Sequence, residues 1–297
     1  MVTLRKGQPW VEIETTIVNN AEDHYLQVSF PTHVESEITI ASSPFDVVER
    51  RIKLPDPGKY HEALQTEHPM DRFVVIQDGK AGVALLNEGL KAYEPHDDDD
   101  QTLSLTMLRC FPLRICITNL EMTDYSNQDN GSQCLGTHTF KYAFMPYSGT
   151  VETARIWQFA ERFNHALRVA QIGPSTDGGK LPMAYSFLEV ENDALHVSAV
   201  KQSENGEGWV VRLFNPTENT LSCKVRLNGG KVPPDALSPV ERQAANFALP
   251  ADTGKTWSKA RLVNLEELET KALTIDADGT VSLDITKKKI VTIEFLA

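Results

Sequence analysis

Residues 72–109, RFVVIQDGKAGVALLNEGLKAYEPHDDDDQTLSLTMLR, constrain the fold of this chain more than any other stretch. They hold three short apolar runs, at 73–76, 81–86 and 103–108. Asp78-Gly79 separates the first two, and those residue types tolerate the positive φ angles of a tight hairpin turn. An acidic tract separates the last two. Each run reads as apolar at nearly every position. That pattern predicts central strands of a sandwich, covered on both faces.

The flanking sequence supports an all-β reading. Residues 11–18 alternate Val11, Ile13 and Ile17 against Glu12, Glu14 and Thr16, the period of a half-buried strand. Further strands are expected at 25–30, 38–41, 113–120 and 137–145. Residues 42–51 read as a loop with one short strand, 54–69 as a Pro- and His-bearing excursion, and 123–136 as a long polar loop. The period then changes: Ile156, Phe159, Phe163, Ala166, Leu167 and Ala170 recur at three and four residues, one face of an amphipathic helix over 151–171. GPSTDGGKLP reads as a linker. Short strands resume after it, with a break at 233–239. The expected organisation is a larger β domain over 1–172 that ends in this helix, and a smaller β-sandwich over 173–297.

The formal net charge of −12 with no Lys/Arg cluster argues against nucleic acid as a partner. No segment approaches 18 consecutive apolar residues, and none has the apolar core of a signal sequence, which points to a cytoplasmic chain without a membrane span. The N-terminus runs into a strand with no preamble, as a segment of a longer polypeptide would. Cys110, Cys116, Cys134 and Cys223 lack paired spacing and read as free, buried thiols.

A self-contained catalytic set is missing from the pattern. There is no HxH, HExxH or GxSxG, and the run from Gly173 to Lys180 fails as a phosphate loop. Asp97, Asp98, Asp99 and Asp100 lack the glycine turn of a calcium loop and read as a solvated tract. Trp10, Trp157, Trp209 and Trp257 are scattered, as core or half-core residues are, with sugar stacking as the alternative. No catalytic residue and no metal ligand is assigned.

Several passages resemble the C-terminal β region of glycoside hydrolase family 38, the α-mannosidases, and its bacterial-type members above all. They are EIETTIVNNAEDHYLQVSFPTHV, SSPFDVVERRI, FVVIQDGKAGVALLNEGLKAYE with LSLTMLR, and GSQCLGTHTFKYAFMP. Beyond the linker come LPMAYSFLEVENDALHVSAVK, GWVVRLFNP, LVNLEELE and KKKIVTIEFLA. The resemblance implies a galactose mutarotase-like supersandwich followed by an immunoglobulin-like β-sandwich, with one helix between them. It also implies that the zinc and the nucleophile of a retaining α-mannosidase belong to a catalytic domain outside this chain, so that no cofactor is expected here. The partners implied are that catalytic domain of the same polypeptide and a mannose-containing glycan or mannoside. An apolar docking patch left open by the domain's absence would favour homo-oligomers.

In that family the β region helps wall the sugar pocket, and some members supply an arginine from the loop that corresponds to 124–136. That loop has no arginine here. The candidate pocket rim is therefore Asn87, Glu88, Arg109, Asp124, Asp129 and Gln133, with loop solvation or an interdomain ion pair as the alternative for each. Two other readings stay open: a free-standing carbohydrate-binding module, and a mutarotase-like enzyme, which would need a His and a Glu converging in one cleft, with His24, His138 and Glu88 available but no spacing that supports them.

Overall fold

The computed structural model describes residues 1–56, 58, 64–112, 114–118, 121–124, 130–169, 171, 186–228 and 257–296. The chain divides into two compact units, Met1–Leu167 and Arg168–Ala297. The sequence-based linker at 173–182 and the break at 233–239 lie outside the described residues, as does Ala170.

The first unit contains strands β1 (Val2–Leu4), β2 (Val11–Asn19), β3 (Tyr25–Pro31), β4 (Ile38–Ser43), β5 (Asp46–Arg51), β6 (His68–Pro69) and β7 (Phe73–Gln77). It continues with β8 (Ala81–Glu88), β9 (Ala92–Pro95), β10 (Thr102–Arg109), β11 (Arg114–Thr118), β12 (Glu121–Asp124), β13 (Gly136–Ser148) and the helix α1 (Ile156–Asn164). A seven-stranded antiparallel sheet runs β1-β2-β13-β8-β7-β4-β5, and a four-stranded sheet runs β3-β10-β9-β6. β11 and β12 form a separate hairpin.

The two larger sheets share one core. Val74, Ile76, Val83 and Leu85 pack with Tyr93, Leu103 and Leu105. Successive strand residues point to opposite faces, so Phe73, Val75, Ala84 and Leu86 face the other way. All four are buried there, on the side where α1 packs on β7 and β8. This explains the unbroken apolar runs of β7 and β8: one face meets a sheet and the other a helix.

The third run differs. β10 belongs to the facing four-stranded sheet, and its apolar residues alternate: Leu103 and Leu105 join the core, while Ser104 and Thr106 turn to a polar outer face. It is an alternating strand with a shift of register between Thr106 and Leu108, not a strand apolar on both faces.

The Asp78-Gly79 turn forms as its residue types require. Gly79 has φ of +84°, and the Asp78 carboxylate accepts from the backbone N–H groups of Ala81 and Lys80, which hold its pKa below the ordinary range. Residues 42–51 form a full hairpin, β4 with β5, more regular than the loop expected. The helix is shorter than its periodicity predicts. Arg155 sits in the left-handed region at φ +56° and opens the helix late, and His165 leaves helical geometry. Leu167, placed on the apolar face by its spacing, is 98% exposed.

The second unit contains β14 (Leu188–Val190), β15 (His196–Gln202), β16 (Gly208–Phe214), β17 (Leu221–Leu227), β18 (Lys259–Val263), β19 (Glu269–Leu273), β20 (Thr280–Ile285) and β21 (Ile290–Leu296). A three-stranded sheet, β14-β17-β20, faces a five-stranded sheet, β15-β16-β21-β18-β19. Val211, Leu213, Val225, Val281, Ile293 and Phe295 fill the space between them. The Asn215 side chain donates to the carbonyls of Asn219, Ile285 and Thr286, tying two loops together. The chain is thus all-β with one described α-helix, the fold class its sequence indicates.

Gly82 sits in β8 between β7 and β13. A Cβ there would lie 2.5 Å from Tyr147 Cζ and 2.7 Å from the carbonyl oxygen of Ile76. Gly82→Ala should therefore lower the unfolding free energy by about 1–3 kcal/mol through forced displacement of a central strand, as read from urea denaturation of the purified chain.

Candidate functional site

Two parts of the first unit gather polar side chains: the end where β13 begins, and the outer face of the four-stranded sheet. At the first, a 3-10 turn at Gly131–Gln133 leads through Cys134, in the left-handed region, into β13. Irregular backbone needs hydrogen-bond partners that a sheet ladder would otherwise supply. Asn19, at the end of β2, supplies them by donating Nδ2 to the carbonyls of Gln133 and Cys134 at 3.0 and 2.9 Å. Gln133 Nε2 donates to Asp23 Oδ1 at 2.7 Å, and its Oε1 accepts from the Asp23 backbone N–H at 2.9 Å. Ser132 Oγ donates to the Phe111 carbonyl. Cys110 is buried here beside His24, with Sγ and Nε2 3.8 Å apart. Burial, and Cys134 nearby, push its thiol pKa up, which makes it a poor nucleophile.

The second gathering follows from alternation in β3. Leu26, Val28 and Phe30 pack on the core, so Tyr25, Gln27 and Ser29 project outward beside Ser104 and Thr106 of β10. Glu67 is the hub. Its Oε1 accepts from Tyr25 Oη at 2.7 Å and Thr106 Oγ1 at 2.5 Å, and its Oε2 accepts from Arg109 Nη1 at 3.3 Å. Glu94 accepts from Gln27 Nε2 at 3.0 Å and from the Thr66 hydroxyl. Ser104 Oγ meets Ser29 Oγ and His96 Nε2, each at 2.8 Å.

Burial, reinforced by the Glu67 carboxylate, pushes Tyr25 up to about 12. Burial raises Glu94 too, but its bonds from Thr66 and Gln27, with His96 and His68 nearby, outweigh that and hold it below the ordinary carboxylate value. Glu67 already accepts from three donors, so the network holds groups in place instead of offering a free base.

The sequence-based rim candidates separate by environment. Asn87 is fully buried; its Nδ2 lies 3.6 Å from Met70 Sδ, and its carbonyl accepts from Asn164 of α1. Gln133 is buried in its own hydrogen bonds. Glu88 is exposed at the end of β8, opposite Lys141. Arg109 is exposed and paired with Glu67. Asp124 closes β12, opposite Arg114, and Asp129 lies outside the described residues. Glu88 pairs five residues along β13 from Gly136, so it stands about 17 Å along the strand from the 3-10 turn.

His138 shares the core-facing parity of Phe140 and Tyr142, whereas Lys141 and its partner Glu88 have the opposite parity. His138 and Glu88 are therefore on opposite faces of the sheet and cannot share a cleft, so that His–Glu pair does not assemble. Tyr25, Gln27, Glu67 and Glu94 were not singled out from the sequence. The signal for the first two was present in the alternation of YLQVSFP.

Among the described residues, no three His, Cys, Asp or Glu side chains converge to hold a metal ion, and no helix is long and apolar enough to cross a membrane. The acidic tract is held by local contacts, Asp98 with the Thr102 N–H and Asp100 with His33. Cys110, Cys134 and Cys223 are free thiols; Cys116 lies outside the described side chains.

Residues 1–112 match the family described as Glycosyl hydrolases family 38 C-terminal domain, and residues 194–293 match Glycosyl hydrolases family 38 C-terminal beta sandwich domain. The chain belongs to the C-terminal β region of glycosyl hydrolase family 38. Each family match falls within one of the two units. A putative mannosylglycerate hydrolase of Halalkalibacterium halodurans is 26% identical over 216 residues, 72% of this chain and 22% of that protein. Human alpha-mannosidase 2C1 is 24% identical over 236 residues, 76% of this chain and 20% of that protein. The crystal structure of an alpha-mannosidase from Enterococcus faecalis V583 superposes with a TM-score of 0.70 at 24% identity, covering 99% of this chain and 28% of that one. The chain thus spans about a fifth of the length of its curated family 38 relatives.

The depressed pKa of Glu94 sets a pH dependence. A carboxyl whose folded pKa lies below its unfolded value adds stability above the unfolded pKa and loses it as pH falls through the folded one. The stability gap between the wild type and Glu94→Gln should be widest near neutral pH and close in acid. Urea denaturation of both proteins across that range measures it.

Proposed function

We propose that this chain is the non-catalytic C-terminal portion of a retaining, zinc-dependent hydrolase of α-mannosides. In this reading it supports the catalytic domain and helps wall the sugar pocket. The observation that carries the proposal is the pair of family 38 matches, both to C-terminal modules and one in each unit. The relatives named as an alpha-mannosidase and a putative mannosylglycerate hydrolase support an α-mannoside as the substrate class.

The geometry of the 3-10 turn suits a docking role. Val18, Phe111 and Leu135 belong to the segments joined there, and all three are exposed large apolar side chains. Apolar side chains gathered in one region of a surface favour a protein neighbour. Arg109 adjoins this region and Glu88 stands farther along the sheet; in this reading they, with Asp124 and Asp129, are the rim residues of the intact enzyme. Asn87 and Gln133, being buried, act behind the rim by fixing the end of β8 and the 131–134 turn. The described residues do not make a zinc site, so no chemical step is assigned to this chain, and its partner is the catalytic domain.

The purified chain should release no nitrophenol from nitrophenyl α-mannoside and should hold no zinc after dialysis. Joined to a family 38 catalytic domain, it should yield hydrolysis that an apolar-to-charged change at Phe111 weakens about tenfold or more, since burying an unpaired charge costs more than the 1.4 kcal/mol that a factor of ten represents. Stoichiometric zinc or mannosidase activity in the isolated chain would overturn the proposal.

A further inference from the structure

The first unit holds a cleft of about 670 Å³ between the turn at residues 5–10, the adjoining ends of β8 and β13, and α1. Neither the family matches nor the candidate rim accounts for it as a unit. Its aromatic wall is Trp10, with Phe159 and Phe163 meeting the indole edge-on at 5.9 and 6.2 Å between ring centroids. α1 therefore has two apolar faces. Ile156 and Ala160 are buried with the sheet, and Phe159 and Phe163 turn to Trp10 instead of solvent.

Against this wall stand polar atoms with no partner among the described residues. Trp10 is 6% exposed, and its Nε1 is buried without an acceptor. Gln8 Oε1 is buried without a donor. A buried polar group left unpaired costs on the order of 1–3 kcal/mol. Both residues line the cleft and both atoms are sealed from solvent, so a group that displaces the cover over them and can serve both relieves that cost. A hydroxyl can, because it donates and accepts at once.

The charges narrow the choice further. Glu88 and Lys141 line the cleft from opposite positions on paired strands, and Arg5 is already paired with Glu12 at 3.7 Å. Arg162, with its guanidinium 5.4 Å from the centroid of the Phe159 ring, and His165 line it as well. Both signs are present, so a neutral ring with hydroxyls at its edge can bond to carboxylate and cation alike, and the surplus of cations makes inorganic phosphate the competitor to test. The volume falls within the range of small-molecule sites.

We propose that this cleft binds a neutral polyhydroxylated ring, a hexopyranose or a short oligosaccharide. Ring C–H groups lie against the aromatic wall, and hydroxyls bond to Gln8, Trp10, Glu88 and Lys141. This subsite shares Glu88 with the proposed rim, but its test is separate from the mannosidase reading, because it is read as binding by the chain alone and not as hydrolysis.

The test is a calorimetric and NMR titration of the full chain with methyl α-mannopyranoside, methyl β-glucopyranoside and a mannobiose, with inorganic phosphate as the charged comparison. Saturable one-site binding of a sugar on the order of millimolar, with shifts at the Trp10 indole N–H, is the expected result. Gln8→Leu and Trp10→Phe should each weaken it about tenfold, the value of one hydrogen bond of roughly 1.4 kcal/mol, with an unchanged urea midpoint for Gln8→Leu showing that the fold survives. Binding of the glucoside as well as the mannosides supports the subsite whatever the parent enzyme cleaves. Failure to saturate by about 50 mM, roughly fiftyfold weaker than the millimolar binding expected, overturns it. So does affinity at the wild-type level in both variants, or a preference for phosphate.

Discussion

Burial of the β7–β8 hairpin on both of its faces is the constraint on which the rest of the first unit depends. An antiparallel hairpin buried on one face needs a partner layer; buried on two faces it needs two. The four-stranded sheet supplies one layer through Tyr93, Leu103 and Leu105. α1 supplies the other through Ile156, Trp157 and Ala160. The helix is thus part of the core and not a connector laid over it. Asn164 fastens the end of α1 by donating to the carbonyls of Asn87 and Ala160, which couples the helix terminus to the end of the central strand.

The same demand for partners explains where the polar side chains go. At the β2–β13 junction the backbone leaves the ladder, and Asn19 and Gln133 replace the lost bonds with side-chain amides. On the outer sheet face, alternation brings hydroxyls, amides and carboxylates side by side, and Glu67 and Glu94 gather them. The bonds each cluster forms are internal to it, although His24 Nδ1 at the first and His68 Nε2 beside the second are buried without a partner among the described residues. Gln8 Oε1 and Trp10 Nε1 at the cleft beside α1 are in the same position. What sets the cleft apart is its volume and its aromatic wall.

The family 38 matches are to C-terminal modules and assign no chemistry to this chain. The two C-terminal modules carry their own cores, one in each unit. Modules with separate cores can present loops to a neighbour without rearranging. That suits a role in which the catalytic groups reside elsewhere and this region contributes walls and contacts.

The all-β class, the Asp78-Gly79 turn and the helix near residue 156 were legible from local pattern, because strand and helix periods and turn chemistry act over a few residues. The motifs that resemble family 38 were legible for the same reason. What local pattern could not decide was which layer each strand joins. LSLTML in β10 looked like the apolar runs of β7 and β8, yet it lies in the opposite sheet and alternates, since Leu103 and Leu105 face the core while Ser104 and Thr106 meet Ser29 and Glu67. Nor could it show that Asn87 and Gln133 are buried while Glu88 is exposed, or that His138 and Glu88 point to opposite faces. Those outcomes depend on pairing between residues as far apart in sequence as Gln133 and Asp23. The sequence by itself determined the elements and the family; only the tertiary structure decided which polar groups are sealed by partners and which, like Gln8 Oε1 and Trp10 Nε1, are left without one, because that depends on contacts made across the chain.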